Sequence, residues 1–457
     1  MPNSKNDRLD NFIASPHKAL FVIAAPMIAG FGVHAMYSIV DSIFIGKLGT
    51  VALAAAGYIS AIFFIVIAFT GGIATGVTAT VAAAYGSRNE NLLNKIASNG
   101  FSLSLITGLI VGILGLFFGK SIIPLLGAEG ESVSLAWEYM FPLFAGMPLF
   151  FVSASIRSVI NGEGDARTTM IILGIATLVN LVLDPLFIFY FDMGIGGAAY
   201  ATVAAQLIAI LGLVYAAFFK HKMSAKITFS NMIPDFKVLG RILKIGFPAA
   251  AGLLVMSIGM MMINKVLSEF GQPTVAGYVA GSKIDMFVSL PLMGIASAAM
   301  TLTGMFLGAK RYDLVKKIVI YSYSLAVVSA VILGTTVYLF SNMVVGLFVK
   351  DPVSLFVGRQ YLGYELFAYP LMAFGMTSGR ILQGLGYGMP SLVITVVRVL
   401  IVGVTGAYFS VYILKTDVTG VWLSFIAGGT ASLFLSAWWI KRYIFSGENN
   451  LMKTVTK

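Results

Sequence analysis

Val179-Asn180-Leu181-Val182-Leu183-Asp184-Pro185-Leu186-Phe187-Ile188 sets a carboxylate in the middle of an apolar run long enough to cross a bilayer. An acid at that depth is expensive, so such residues face a bundle interior or a wet cavity. Asn180 lies one helical turn before Asp184 on the same face. Pro185 has no backbone N–H and clashes with the carbonyl of Leu181, which frees that carbonyl and bends the helix. An amide, a carboxylate and a loosened carbonyl thus meet at one depth, which is the donor set of a cation or proton site.

The rest of the chain agrees with a membrane setting. Of its 457 residues 58% are hydrophobic and only 11% charged, which places it among polytopic membrane proteins. Runs of about 20 or more apolar residues fall at 19–46, 52–84, 96–118, 135–160, 168–191 and 194–219. A second set follows at 245–268, 275–307, 318–340, 361–383, 391–413 and 418–440, which makes twelve predicted helices. No cleavable leader is evident, because the first apolar run is itself of spanning length. The longest polar connection, 220–244, divides an N-terminal lobe (1–222) from a C-terminal lobe (245–457) through a cytoplasmic linker (223–244).

The formal charge of +11 fits loop enrichment in Lys and Arg better than a nucleic-acid partner. With the N-terminus inside, the inner segments hold 22 of the 30 Lys and Arg and the outer ones six; Lys283 and Arg398 fall within spans. That asymmetry predicts both termini in the cytoplasm and a multi-pass protein of the plasma (inner) membrane. There are no cysteines, which excludes disulfides and thiolate metal sites.

The two halves repeat at an offset of 222 residues. Ser87-Arg88-Asn89-Glu90-Asn91-Leu92-Leu93-Asn94-Lys95-Ile96 returns as Ala309-Lys310-Arg311-Tyr312-Asp313-Leu314-Val315-Lys316-Lys317-Ile318. Pro26 maps onto Pro248, Gly86 onto Gly308, and Asn161-Gly162-Glu163-Gly164 onto Gln383-Gly384-Leu385-Gly386. Six helices per repeat keep both lobes in one orientation. The predicted fold is therefore an all-α, twelve-helix membrane protein of two six-helix lobes, related by a pseudo-two-fold along the membrane normal, with a cleft between lobes. The repeat breaks at its acids: Asp184 falls on Gly406, and Asp41 falls beside Asn264. The ion chemistry is thus expected in the N-terminal lobe.

Asp41 and Asp184 are predicted to share a depth in the outer leaflet, with Thr202 and Gln206 entering the same layer. His34, Tyr37 and Asp41 fall within about a 60° arc on the first helix. Thr177, Asn180 and Asp184 form the matching stripe on the fifth. Two nearby carboxylates repel, which favours a shared proton or a cation such as Na⁺ between them. The competing reading pairs each Asp with local hydroxyls that only fix helix contacts.

Pro26 and Asp41 in helix one, Gly162-Glu163-Gly164-Asp165, Asn180-x-x-x-Asp184-Pro185 and Gly197-Ala198-Ala199-Tyr200-Ala201-Thr202 together resemble the multidrug and toxic compound extrusion (MATE) family. The likeness is strongest to its DinF-like branch and extends over nearly the whole chain. It implies antiport of amphipathic, often cationic compounds against H⁺ or Na⁺, with Asp41, Asn180, Asp184 and Thr202 as the ion site. It also implies a bend at Pro26 that accompanies protonation, to which the sequence adds Pro185 as a second hinge. The acids that the NorM-like branch carries on helix seven have no match here, where Asn264 stands instead.

Other features are read beside these. Lys283 and Asp285, two positions apart, point to opposite sides of one helix and offer one substrate-facing group at most. Met256 and Met260 belong to a methionine run suited to ligands of many shapes and with Asn264 are cleft candidates, though methionine is also ordinary bundle filler. Glu365 and Arg398 are expected to snorkel. The GxGD sequence at 162–165 also occurs in intramembrane aspartyl proteases, but here it falls in a turn where glycine permits unusual backbone angles. Gly119-Lys120-Ser121 lacks the first glycine of a phosphate-binding loop, so no nucleotide and no enzymatic step is expected. Transport is then secondary, driven by an ion gradient without a cofactor, in a protein expected to be monomeric. A flippase for lipid-linked precursors is the alternative, weakened because only Lys283 offers cleft charge.

Overall fold

The computed structural model describes residues 4–220 and 222–446; Lys453 and Lys457, counted in the charge asymmetry, lie outside them. The described residues form helices and no strands. The first half of the chain contains α1 (Ser4–Ala14), α2 (Pro16–Lys47), α3 (Thr50–Gly86), α4 (Glu90–Ile122), α5 (Glu131–Ala145), α6 (Met147–Gly162), α7 (Ala166–Pro185) and α8 (Gly194–Val214). The second contains α9 (Phe236–Ser268), α10 (Gln272–Gly308), α11 (Tyr312–Leu339), α12 (Ser341–Gly346), α13 (Pro352–Gly384), α14 (Gly388–Val396), α15 (Thr405–Tyr408) and α16 (Thr419–Ile440).

Ten of the described helical segments are long and apolar enough to span a membrane, and α5 with α6, bent by 49° at Gly146, makes an eleventh. The 33-residue α13 has the length to cross but carries polar groups inside the bundle, and with it the predicted twelve are present. Large apolar side chains such as Phe117 and Phe434 stay exposed on the outer faces, where lipid rather than water is the solvent.

Helix ends follow from local chemistry. Asn89 caps α4 by accepting from Leu92 N at 3.0 Å, and Asp165 caps α7 by accepting from Thr168 N at 3.1 Å. The aspartate of the GxGD sequence is therefore a helix cap that follows a left-handed glycine, Gly164. The repeat extends to the backbone. Left-handed residues recur at Gly49 and Gly271, Arg88 and Lys310, and Gly164 and Gly386, and one residue out of that register at Asp192 and Lys415.

The chain divides into two compact units, 29–250 and 1–28 with 251–457. Each division falls two residues beyond a mid-helix proline, Pro26 in α2 and Pro248 in α9.

In the 29–250 unit, α4 presents a face of glycines to α5 and α6. A Cβ at Gly108 would lie 2.9 Å from Pro148 Cα, and one at Gly115 would lie 2.1 Å from the Phe144 ring. Small residues permit this close approach, which is the packing mode available where no hydrophobic effect drives helices together. The polar end of α4 holds an extended strap. Asn94 and Ser98 accept from the backbone of Lys226 and Thr228, and Asn99 and Ser102 donate to the carbonyls of Asn231 and Met232. Fully buried Glu163 accepts from Ser224 N at 2.6 Å and Ala225 N at 2.8 Å. The segment that composition marks as a linker is thus fastened along its length to the unit it follows.

The core of the other unit gathers Trp422, Tyr361 and Tyr278, with Tyr278 stacked on Trp422 at 5.9 Å between centroids.

Candidate functional site

Three helices of the 29–250 unit bring the predicted ion-site residues together. Pro185 ends the regular hydrogen bonding of α7, and the chain continues through a π-helical turn, Leu186–Tyr190. Gly197 of α8 presses against that turn: a Cβ there would lie 2.7 Å from the Phe187 carbonyl carbon. The small residues Gly197, Ala198, Ala199 and Ala201, all buried, let α8 approach this closely. Thr202 is thereby carried to Tyr37 of α2, with 3.0 Å between their hydroxyls. Thr202 Oγ1 donates its one proton to the Ala198 carbonyl, so Tyr37 is the donor in the link between α2 and α8.

Asn180 Nδ2 donates to Asp184 Oδ1 at 3.2 Å, and both residues are buried. What remains is unusual. Asp41 Oδ1, Asn180 Oδ1 and Asp184 Oδ2 are enclosed and have no hydrogen-bond partner in the structure. Three acceptors with no donor in a buried region are costly unless a proton or a cation satisfies them. Oxygen donors of this kind suit a hard cation. Among the described residues no group of three or more His, Cys, Asp or Glu could hold a metal ion.

The cluster is narrower than the sequence stripes. His34 is exposed, with its ring 6.1 Å from that of Tyr37. Thr177 and Gln206 are half-buried, and neither bonds to the carboxylates. One neighbour escaped the sequence reading. Tyr139 of α5 lies within electrostatic reach of Asp41, Asp184 and Tyr37. It sits in Trp-Glu-Tyr-Met, which reads as interfacial aromatic sequence and gives no motif to find it by.

The C-terminal residues form a different arrangement. Asp285 of α10 receives hydrogen bonds from the hydroxyls of Tyr361 and Tyr369 of α13. Glu365 lies between those tyrosines on the same face and is 9% exposed, in electrostatic contact with Arg398. The expectation that Glu365 and Arg398 snorkel is corrected here. Tyr361, Glu365 and Tyr369 recur every fourth residue and share one inward face, and that spacing was the available signal. Lys283 is exposed and stands 5.8 Å over the Phe348 ring, away from Asp285. Met256 and Met260 are exposed, while Asn264 Oδ1 is enclosed without a partner. The contrast is chemical: tyrosine hydroxyls occupy both oxygens of Asp285, whereas the N-terminal carboxylates keep open ones.

Helices of spanning length in two sequence repeats, with unsatisfied acids inside the first, define a polytopic membrane transport protein. The chain belongs to the MatE family, whose model matches residues 26–186 and again 248–409. Members of that family are transporters, so the protein is not an enzyme. The chain is 30% identical to the probable multidrug resistance protein YpnP of Bacillus subtilis, over 83% of this chain and 85% of that protein. It is 27% identical to the probable multidrug resistance protein NorM of Thermotoga maritima, over 94% and 95% of the two chains. A solved structure described as the outward-facing conformation of a multidrug resistance MATE family transporter superposes with a TM-score of 0.90. That chain is 29% identical, and the match covers 96% of this chain and 97% of that one.

Proposed function

We propose that this protein is a secondary antiporter that exports amphipathic, often cationic compounds in exchange for H⁺ or Na⁺ by alternating access. The observation that carries this reading is the set of enclosed, unpartnered oxygens of Asp41, Asn180 and Asp184. A proton on one carboxylate, or a cation between the two, removes their mutual repulsion and supplies the missing partner. The Tyr37–Thr202 bond ties α2 to α8, so an ion that draws Asp41 inward pulls on both helices. Pro26 and Pro185 each remove a backbone bond from the helices that carry the acids, which supports bending there. Drive requires that the ion favour one conformation, because an ion with equal affinity for both shifts nothing.

The names of the relatives, multidrug resistance proteins in two bacteria, support the substrate class. Exposed Met256, Met260 and Lys283 are proposed as substrate-facing groups. The protein is proposed to act as a monomer in the plasma membrane, with both termini cytoplasmic.

The test is efflux of a fluorescent lipophilic cation by everted vesicles under an imposed pH gradient or an imposed Na⁺ gradient. One gradient is expected to drive efflux, and Asp41→Asn and Asp184→Asn are expected to abolish it at equal expression. Wild-type pumping by both variants would make these carboxylates structural and overturn the mechanism.

A further inference from the structure

A cavity of about 560 Å³ opens at one end of α5 and α8, lined by Trp137, Glu138 and Phe141 from α5 and by Met193, Gly196 and Tyr200 from the start of α8. It lies on the faces of both helices that turn away from the ion cluster. At 100° per residue Trp137 and Phe141 lie about 160° around α5 from Tyr139, and Glu138 about 100°. Tyr200 and Thr202 diverge by about 200° on the same count.

The lining is chemically specific. Glu138 is its one charged group, and no basic side chain lines the cavity. Glu138 is exposed and makes no ion pair with any described residue. The absence of a side chain opposite leaves it room: a Cβ at Gly196 would lie 2.9 Å from Glu138 Oε1. The carboxylate therefore rests against the first turn of α8. The helix end contributes only about half a positive charge, so the floor of the cavity stays net negative. Around it stand an indole, a phenyl and a phenol ring. Trp137 and Phe141 meet edge to face at 5.7 Å, which keeps a ring face free. A carboxylate among aromatic faces is the recognition chemistry of alkylated ammonium, which is attracted to both and carries a weak hydration shell.

We propose that this cavity is a binding site for organic ammonium ions, separate from the Asp41/Asp184 cluster. An interfacial aromatic belt alone accounts for the rings. It does not account for an unpaired carboxylate standing among them.

The experiment is calorimetric titration of the purified protein in phosphatidylglycerol nanodiscs, which carry no amine headgroups. The probe is benzyltrimethylammonium. Choline and its neutral carbon analogue 3,3-dimethylbutan-1-ol serve as competitors. Wild type is compared with Glu138→Gln, Glu138→Asp, Trp137→Leu and the double variant Asp41→Asn/Asp184→Asn. One saturable site is expected, weakened at least tenfold by Glu138→Gln and by Trp137→Leu. Glu138→Asp, which keeps the charge, is expected to retain binding, and the neutral analogue not to compete.

Retained binding in the double variant together with loss in Glu138→Gln and Trp137→Leu places the site in this cavity whatever the efflux assay says of the carboxylates. Loss of binding in the double variant alone would assign the ligand to the ion cluster and overturn the proposal. So would wild-type affinity in Glu138→Gln, or equal competition by the neutral analogue. Repetition in phosphatidylethanolamine nanodiscs separates the sources. Competition by that lipid names a headgroup amine as the occupant, and its absence names a soluble ammonium; either supports the site.

Discussion

Replacing Glu163 by glutamine changes the charge of one buried side chain and almost nothing of its shape. In the wild type both carboxylate oxygens accept backbone N–H groups of the strap, Ser224 at 2.6 Å and Ala225 at 2.8 Å, with the side chain fully buried. Bonds to a charged acceptor contribute about 1.5–3 kcal/mol each. Glutamine keeps one carbonyl oxygen, whose bond falls to the neutral value of about 1 kcal/mol. Its amide nitrogen is a donor facing a donor, which strands one buried backbone N–H at a further cost of about 1–3 kcal/mol. Local loosening on the order of 3 kcal/mol follows, and at 1.4 kcal/mol per decade that is roughly a hundredfold rise in local opening. Hydrogen–deuterium exchange read by mass spectrometry measures it directly at the amides of Ser224 and Ala225. The effect is expected to fade along the strap, because Asp235 N is held separately by Asn99 Oδ1 at 2.8 Å. Exchange at Ser224 and Ala225 that stays within a factor of about two of wild type would refute the claim that this carboxylate fastens the segment.

Two further substitutions read the packing and the caps. Gly277→Ala would set a Cβ 2.4 Å from the Ser354 carbonyl oxygen and 3.0 Å from Gly358 N. Both are backbone atoms that cannot rotate away, so a loss of about 1–3 kcal/mol is expected. It is seen as a lower thermal midpoint, against Gly32→Ala as the control in open space, where helix propensity raises the midpoint. Asp351, outside the spans, accepts from both Ser354 N and Ser354 Oγ at 2.9 Å, and these bonds hold its carboxyl below the usual range. A depressed folded value means stabilisation that is full above the unfolded value and is lost as pH falls through the folded one. The midpoint difference between wild type and Asp351→Ala is therefore expected to be full at neutral pH and to close in acid. A difference that stays constant with pH would remove the charged cap from the account.

Spans and repeat were legible because they are written in single segments. An apolar run declares its length, and glycines such as Gly164 and Gly386 declare the backbone angle they serve. Arg88 and Lys310 adopt the same left-handed geometry with no glycine to announce it, so there only the repeated register gave a clue. In the candidate site, Asn180 and Asp184 were legible as one turn of one helix. The bond from Tyr37 to Thr202, 165 positions away, was not, because spacing along a helix says nothing of what stands opposite. The same limit hid the partners of Asp285. Its own helix showed it only beside Lys283, and its partners Tyr361 and Tyr369 come from α13. The apolar run 361–383 sets Glu365 near a helix end, whereas α13 begins at Pro352 and carries Glu365 into the interior.

The division at 28/29 and 250/251 has a consequence for ancestry and for dissection. Neither unit is made from one repeat alone: the first 28 residues belong with 251–457, and residues 236–250 belong with the preceding half. Had one repeat once existed as a separate chain, two copies assembled this way would have formed a domain-swapped pair, each lending the start of its first helix to the other. A modern chain cut within the strap inherits that debt. The fragment ending there contains a leading half-helix foreign to its own core, and the fragment beginning at α9 contains the missing piece. Neither product would be complete by itself, and reassembly of the two would require a reciprocal trade of helix beginnings.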